Sequence, residues 1–489
     1  MSLRTSPDGL APKTSPSLAK VVALAAAAGG MGWGIRGQYG HETGAMMAGL
    51  LVALVLALLF RPRAASLPVA RAVAWCAVGI GIGGSMTYGQ TVGLTHDAPL
   101  IGNWAALRWG LLGLSIKGAI WIGFAGVFFG MGLGGKRYRP LELAVLWLAL
   151  LGLCALGIWA LNTPFDPEHR LLPRIYFSDD WRWEPGADLK PRREIWGGLL
   201  FALAGLFLYT RFVRRDGLAL CLGFWGVLGG AIGFPLGQSI QAFHAWNPEL
   251  FRGGVWAWLD PRMNWWNHME TTFGATMGAC LGLGAWLHRA RLAPLDDAES
   301  RVAFRPLAEW GLLAAHVAGL LGEEFFSTPY VEELYDFGMV LAFIPIVAVA
   351  GGRLWPYFVM LPVTALPIAG KTLRQLAFRE PVISPALGAC VYVAVPLVAL
   401  TAMAIAFARA PARREAAVFL RPTLLVATWL YFGLNYAFFR FPWPWAEWTS
   451  RTPNGIVYTI CAAALTWAAV RRPADAPTEA RHEPEAVTA

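Results

Sequence analysis

The chain has 489 residues, of which 56% are hydrophobic and only 15% charged, with a formal net charge of +9. A soluble domain carries roughly 25% charged residues, so a soluble enzyme or a disordered chain of this length is excluded. The excess positive charge is scattered over short segments and forms no continuous basic face, which excludes a nucleic-acid-binding fold.

The polar, Ser/Thr/Pro-rich residues 1–17 read as a disordered cytoplasmic tail, and residues 471–489 as another. Between them, 18–470 reads as one all-α transmembrane domain. Apolar runs of roughly 17 to 25 residues recur, each able to cross a hydrocarbon layer of about 30 Å. In chain order the spans are expected near 18–38, 42–60, 69–92, 107–134, 141–161, 196–212, 218–245, 267–289, 307–327, 337–351, 354–369, 383–408, 421–439 and 454–470. This is a polytopic helical protein with about 14 transmembrane helices. Clusters such as Arg61, Arg63 and Arg71, then Lys136, Arg137 and Arg139, then Arg211, Arg214 and Arg215 fall on alternate connections. That positive-inside pattern places both termini in the cytoplasm and the chain in the inner membrane. Lys371, Arg374 and Arg379 break the pattern, and a re-entrant stretch at 370–381 would account for them.

The opposite connections are rich in Trp: 104, 181, 183, 196, 246, 256, 258, 265, 266, 443, 445 and 448, among 24 in all. An interfacial belt accounts for single indoles, but a belt decorates both faces. The asymmetry points to an outer aromatic platform suited to sugar faces or a lipid-linked substrate. The loop 162–195 carries both acids and bases and reads as a self-neutralised extracytoplasmic cap. All six Cys fall within apolar runs, with no CxxC pair and no zinc spacing, and read as buried packing residues; no cofactor and no metal site is expected.

Three stretches resemble each other: Gly29-Gly30 through Arg36-Gly37-Gln38, Gly83-Gly84 through Tyr88-Gly89-Gln90, and Gly229-Gly230 through Leu236-Gly237-Gln238. In the last two, a His follows the Gln by six residues, at His96 and His244. A returning run opening on small residues follows each, at Gly44 to Gly49, Gly118 to Gly123 and Gly274 to Gly278. Small-xxx-small spacing lets helix backbones approach closely in lipid. The fold is thus expected to be built of repeated helical hairpins, an architecture familiar in transporters.

Polar groups inside spans need a partner, water or a job. Gln38, Gln90 and Gln238 offer neutral amides that could read a polar solute or cap broken helices. Arg36, with Trp33 beside it, could hold a carboxylate or phosphate or simply pair with Glu42; His41 and Glu42 could form a proton-transfer pair. Lys117 is central in its span and is expected to neighbour an acid, Glu270 or Glu324. Glu323 and Glu324, with Glu332, Glu333 and Asp336 near them and His316 at mid-span, suit proton or cation coupling. Trp266 opens the span that carries Glu270.

Two functions fit. The first is a transporter or permease for a polar organic solute, a sugar or organic acid, bound by Arg36, Gln38, Gln90, Gln238, Lys117, Glu270, Trp33 and Trp266. The second is a membrane-embedded transferase or hydrolase acting on a lipid-linked or glycan substrate at the outer face, with His41 and Glu42 catalytic. The expected partners are the lipid bilayer and a small polar or lipid-linked substrate, with no nucleic acid; a homo-oligomer is compatible with the sequence.

Overall fold

The computed structural model describes residues 16–37, 42–292, 306–326, 338–351, 355–408, 415–440 and 447–471. Among these the chain is helical; the only extended pairings are isolated bridges, Ala65 with Glu415 and Asp166 with Leu171. The first half contains α1 (Leu18–Arg36), α2 (Glu42–Phe60), α3 (Ser66–Ile82), α4 (Gly89–His96), α5 (Trp104–Leu133), α6 (Pro140–Leu161), α7 (Trp196–Leu208) and α8 (Gly217–Trp246). The short α9 (Gly254–Leu259) and α10 (Trp265–Leu287) follow. The second half adds α11 (Pro306–Phe326), α12 (Gly338–Gly351), α13 (Trp355–Arg374), α14 (Pro385–Gly388), α15 (Val395–Ala408), α16 (Ala417–Phe438) and α17 (Thr452–Val470).

Helix starts follow from capping side chains. Asn103 accepts from the Ala106 amide, Asp216 from Ala219 and Asn264 from Asn267, each at 2.9–3.0 Å, which satisfies donors left open at a helix start. Among the described residues nine helical segments are long and apolar enough to cross a membrane. α2 and α12 give shorter apolar stretches, and α10 carries Asn267, His268 and Glu270 in its first turns. The protein is therefore an integral membrane protein of multiple spans.

Six helices pack side by side in the order α1, α2, α3, α5, α8 and α10, and α10 closes back onto α1. Glycines set the closest approaches. A Cβ on Gly29 would overlap the Gly274 carbonyl oxygen and one on Gly274 the Gly29 carbonyl oxygen, joining α1 to α10. Gly118 and Gly230 stand in the same reciprocal relation between α5 and α8. With no hydrophobic drive between helices in lipid, such backbone contact is what holds them together. Around this ring, α17 packs on α1, α16 on α2, α13 on α2 and α3, and α12 on α3 and α6, while α7 lies against α5 and α6.

Two expectations change. The run 69–92 is not one helix: it breaks after Ile82, passes through a tight turn at Gly83–Ser85 and an extended Met86, and restarts at Gly89. Lys371 and Arg374 lie in the last turn of α13, which continues in a wider turn from Gln375 to Arg379. Only Cys76 and Cys154 are buried; Cys221, Cys280 and Cys461 are half-buried and Cys390 is exposed.

Candidate functional site

The break between α3 and α4 organises the interior. Tyr88, in the break, points its hydroxyl between Arg36 at the end of α1 and Glu270 on α10. Both terminal nitrogens of Arg36 donate to Tyr88 Oη at 3.1 Å, and that hydroxyl donates to Glu270 Oε1 at 3.2 Å. Arg36 and Glu270 themselves stand 3.7 Å apart, each about 1% exposed. An isolated charge so deep would cost many kcal/mol, so the three groups are a unit.

Aromatic rings close around it. The Arg36 guanidinium lies 5.0 Å from the Trp33 ring, 5.4 Å from Tyr88 and 5.3 Å from Trp121, within cation–π range. Trp33 on α1 meets Trp121 on α5 at 5.0 Å and Phe273 on α10 at 4.4 Å, while Phe234 on α8 stacks on Phe273 at 4.5 Å. Since α1 and α5 are not neighbours in the ring, Trp33 and Trp121 meet across its interior, and the charged triad sits there with them. Trp266 lies 6.3 Å from Tyr88.

Lys117 is buried as expected, but its acid is Glu194, not Glu270 or Glu324. The ammonium donates to Glu194 Oε1 at 2.7 Å, to Thr91 Oγ1 at 2.7 Å and to the Thr87 carbonyl, freed by the helix break, at 2.6 Å. Glu194 also accepts from Ser178 Oγ, the Phe177 amide and the Trp196 indole. Every polar position of this pair is filled, so it clamps the cap 162–195 onto the break and has no valence left for a solute. Lys117 and Glu270 thus belong to separate ion pairs joined through the Thr87–Tyr88 peptide.

The glutamines do not form a common site among the described residues. Gln90 is tied to the cap, donating to the Lys190 carbonyl at 3.0 Å and accepting from the Arg192 amide at 2.9 Å. Gln238 is fully buried and donates to Thr95 Oγ1 at 2.6 Å, with its carbonyl oxygen unpartnered among the described residues. Gln38, His41, Glu332, Glu333 and Asp336 lie outside the described residues, as do the side chains of Glu42, Glu323 and Glu324. His316 is buried on α11 with Nε2 unpartnered among the described residues.

In the last turn of α8, His244 Nε2 stands 2.8 Å from Asp260 Oδ1 and its ring stacks on Trp265 at 4.3 Å. Trp104 meets Trp246 and Trp258 meets Trp448, both at 4.9 Å. In the cap, burial raises the Asp179 carboxyl to about 6, reinforced by the negative charges of Asp97, Glu184 and Asp180 against the opposing pull of its own amide. Among the described residues no cluster of His, Cys, Asp and Glu could hold a metal ion.

Tyr88, Trp121 and Glu194 escape a reading by residue type. Tyr88 nevertheless carries a sequence signal, because it stands two residues before Gln90 as Arg36 stands two before Gln38, and these two residues meet in space. No known protein family, curated protein or solved structure matches the chain.

Proposed function

We propose that the chain is a transporter or permease for a polar organic solute, a sugar or organic acid, with the Arg36–Tyr88–Glu270 triad at its binding site. The carrying observation is a charged, incompletely satisfied cluster at the centre of a helical ring, walled by stacked aromatic rings. Arg36 Nε is buried without a hydrogen-bond partner among the described residues, and the Glu270 carboxylate accepts from Tyr88 with the Trp266 indole beside it. Buried ionisable groups in a membrane bundle mark solute or ion pathways far more often than they add stability. Trp33 and Trp266 supply faces for the solute's apolar surface. The carboxylates Glu323 and Glu324 and the imidazole of His316, all on α11, are assigned to proton or cation coupling.

The architecture in this reading is about 14 spans in the inner membrane, both termini cytoplasmic, with a three-fold repeat of hairpins α1/α2, α3/α5 and α8/α10. The ring order and the paired glycine contacts support it. The test is uptake of labelled sugars and organic acids into proteoliposomes. Saturable uptake by the wild-type chain is expected, and none with any solute would end the reading.

A second reading, a transferase or hydrolase acting on a lipid-linked or glycan substrate at the outer face, is favoured by the His244–Asp260 pair beside Trp265, where the imidazole could act as general base. Turnover of a lipid-linked sugar without vectorial movement would select it.

A further inference from the structure

Exposed apolar side chains on α6 and α8 mark where the hydrocarbon layer begins and ends. Along α8, Phe224, Leu228, Ile232, Leu236, Ile240 and Phe243 are exposed and recur every fourth or third residue, so they form one stripe on one helix face. At 1.5 Å per residue the stripe is about 28 Å long. On α6 the exposed side chains from Leu141 to Trp159 cover about 27 Å. Both lengths match a hydrocarbon layer of roughly 30 Å, so Phe243 stands at its edge.

α8 ends at Trp246, just past Phe243, and the segment that follows stays at that level. Before α9, the buried Phe251 sets its ring 6.3 Å from Phe243 and 4.7 Å from His244. After α9, Asp260 Oδ1 stands 2.8 Å from His244 Nε2 and accepts from the Trp265 indole at 2.8 Å. Both flanks of α9 are therefore pinned to His244, and the helix between them, about 9 Å long, cannot lift away from the end of α8.

None of the α9 residues is buried. Val255 is 68% and Trp258 46% exposed, Leu250 is exposed ahead of them, and Trp256 is exposed while resting on Phe251 at 5.3 Å. Apolar surface left bare in this way marks a contact. Position and charge say with what. Through Phe251 the segment continues the lipid-facing stripe that ends at Phe243. The Arg262 guanidinium lies 4.7 Å from the Trp258 ring, an indole and a cation paired as at a membrane interface. Glu249 and Asp260 balance Arg252 and Arg262, so a phospholipid without net charge suits the segment.

We propose that residues 248–262 lie along the membrane surface as an interfacial foot, with Leu250, Val255, Trp256 and Trp258 seated where phospholipid headgroups meet acyl chains. The occupant of this aromatic surface is phospholipid rather than a sugar. The foot holds the start of α10, which carries Trp266 and Glu270, at a fixed depth. The assignment stands under either functional reading.

The experiment uses the full chain in phosphatidylcholine vesicles with p-benzoyl-L-phenylalanine, a photoreactive residue, in place of Val255. Matched variants carry it in place of Leu148, on the exposed face of α6, and of Asp188, exposed in the cap. After near-ultraviolet irradiation, peptide mass spectrometry reads the gain of one phospholipid. The Val255 variant is expected to gain lipid as readily as the Leu148 variant, and the Asp188 variant to stay at the unirradiated level. Replacement of Leu250 serves the same purpose should the Val255 variant not elute as a monodisperse peak. Lipid gain no greater than at Asp188 would overturn the inference and leave the foot in water. Cross-links from position 255 to a second copy of the chain would overturn it in favour of a protein partner.

Discussion

Breaking the Lys117–Glu194 pair should unfold the protein more readily than removing it. Both side chains are about 1% exposed, and each charge is met by the other at 2.7 Å. Lys117→Met leaves the Glu194 carboxylate with three neutral donors, from Ser178, Phe177 and Trp196. That solvation holds its cost near the lower end of the range of about 3–5 kcal/mol for a buried charge stripped of its partner. Glu194→Gln leaves the ammonium with neutral acceptors only, the Thr87 carbonyl, the Thr91 hydroxyl and the new amide oxygen, and sets the amide NH2 against the Phe177 and Trp196 donors, so its cost should fall near the upper end. The double variant buries no charge and should cost less than the sum of the singles by at least about 2 kcal/mol. SDS-titrated unfolding of the detergent-purified variants measures all three. Additive costs, or single variants within about 0.5 kcal/mol of wild type, would refute the view that this pair clamps the cap to the helix break.

Further outcomes follow from other contacts. Tyr88→Phe removes the hydroxyl bridging Arg36 and Glu270 and should cost about 1.5–3 kcal/mol in the same titration; an unchanged midpoint would mean that the direct Arg36–Glu270 attraction suffices. Gly274→Val should abolish a monodisperse peak on size-exclusion chromatography, since a Cβ there overlaps the α1 backbone, whereas Gly152→Ala, with nothing within 4 Å of its Cβ, should elute as wild type. Asp179 has a folded carboxyl raised to about 6, so its protonated form is favoured by folding and that contribution is lost as pH rises from its ordinary value near 3.8 through 6. Asp179→Asn should therefore raise the thermal midpoint at pH 7.5 more than at pH 4.5; an equal shift at both would show that Asp179 ionises freely.

Periodicity and cost made the membrane class legible in the sequence, because long apolar runs have no other use in a chain this poor in charge. The glycine stripes were equally legible, and Gly29, Gly118, Gly230 and Gly274 all stand at backbone crossings. Of the candidate site, Arg36, Glu270, Trp33 and Trp266 could be named because charge and indole are conspicuous in an apolar run. Tyr88 could not be, since a tyrosine near a helix end is ordinary until the break that aims it is known. The partner of Lys117 was misjudged for a related reason. Glu194 lies in a cap whose many acids and bases mask one another in sequence, and only the fold lowers that residue to the level of the Thr87 carbonyl. Gln90 resembled Gln238 by motif, yet the cap captures it, which spacing along the chain cannot reveal.

The most direct test is initial-rate uptake by proteoliposomes holding wild type or Glu270→Gln in equal folded amount. Glutamine keeps the shape and hydrogen-bonding reach of the carboxylate while removing the charge that Arg36 faces. Saturable uptake by wild type that falls at least about tenfold in Glu270→Gln, about 1.4 kcal/mol or more, is the result expected of a central solute site. Uptake at the wild-type rate in Glu270→Gln would contradict it.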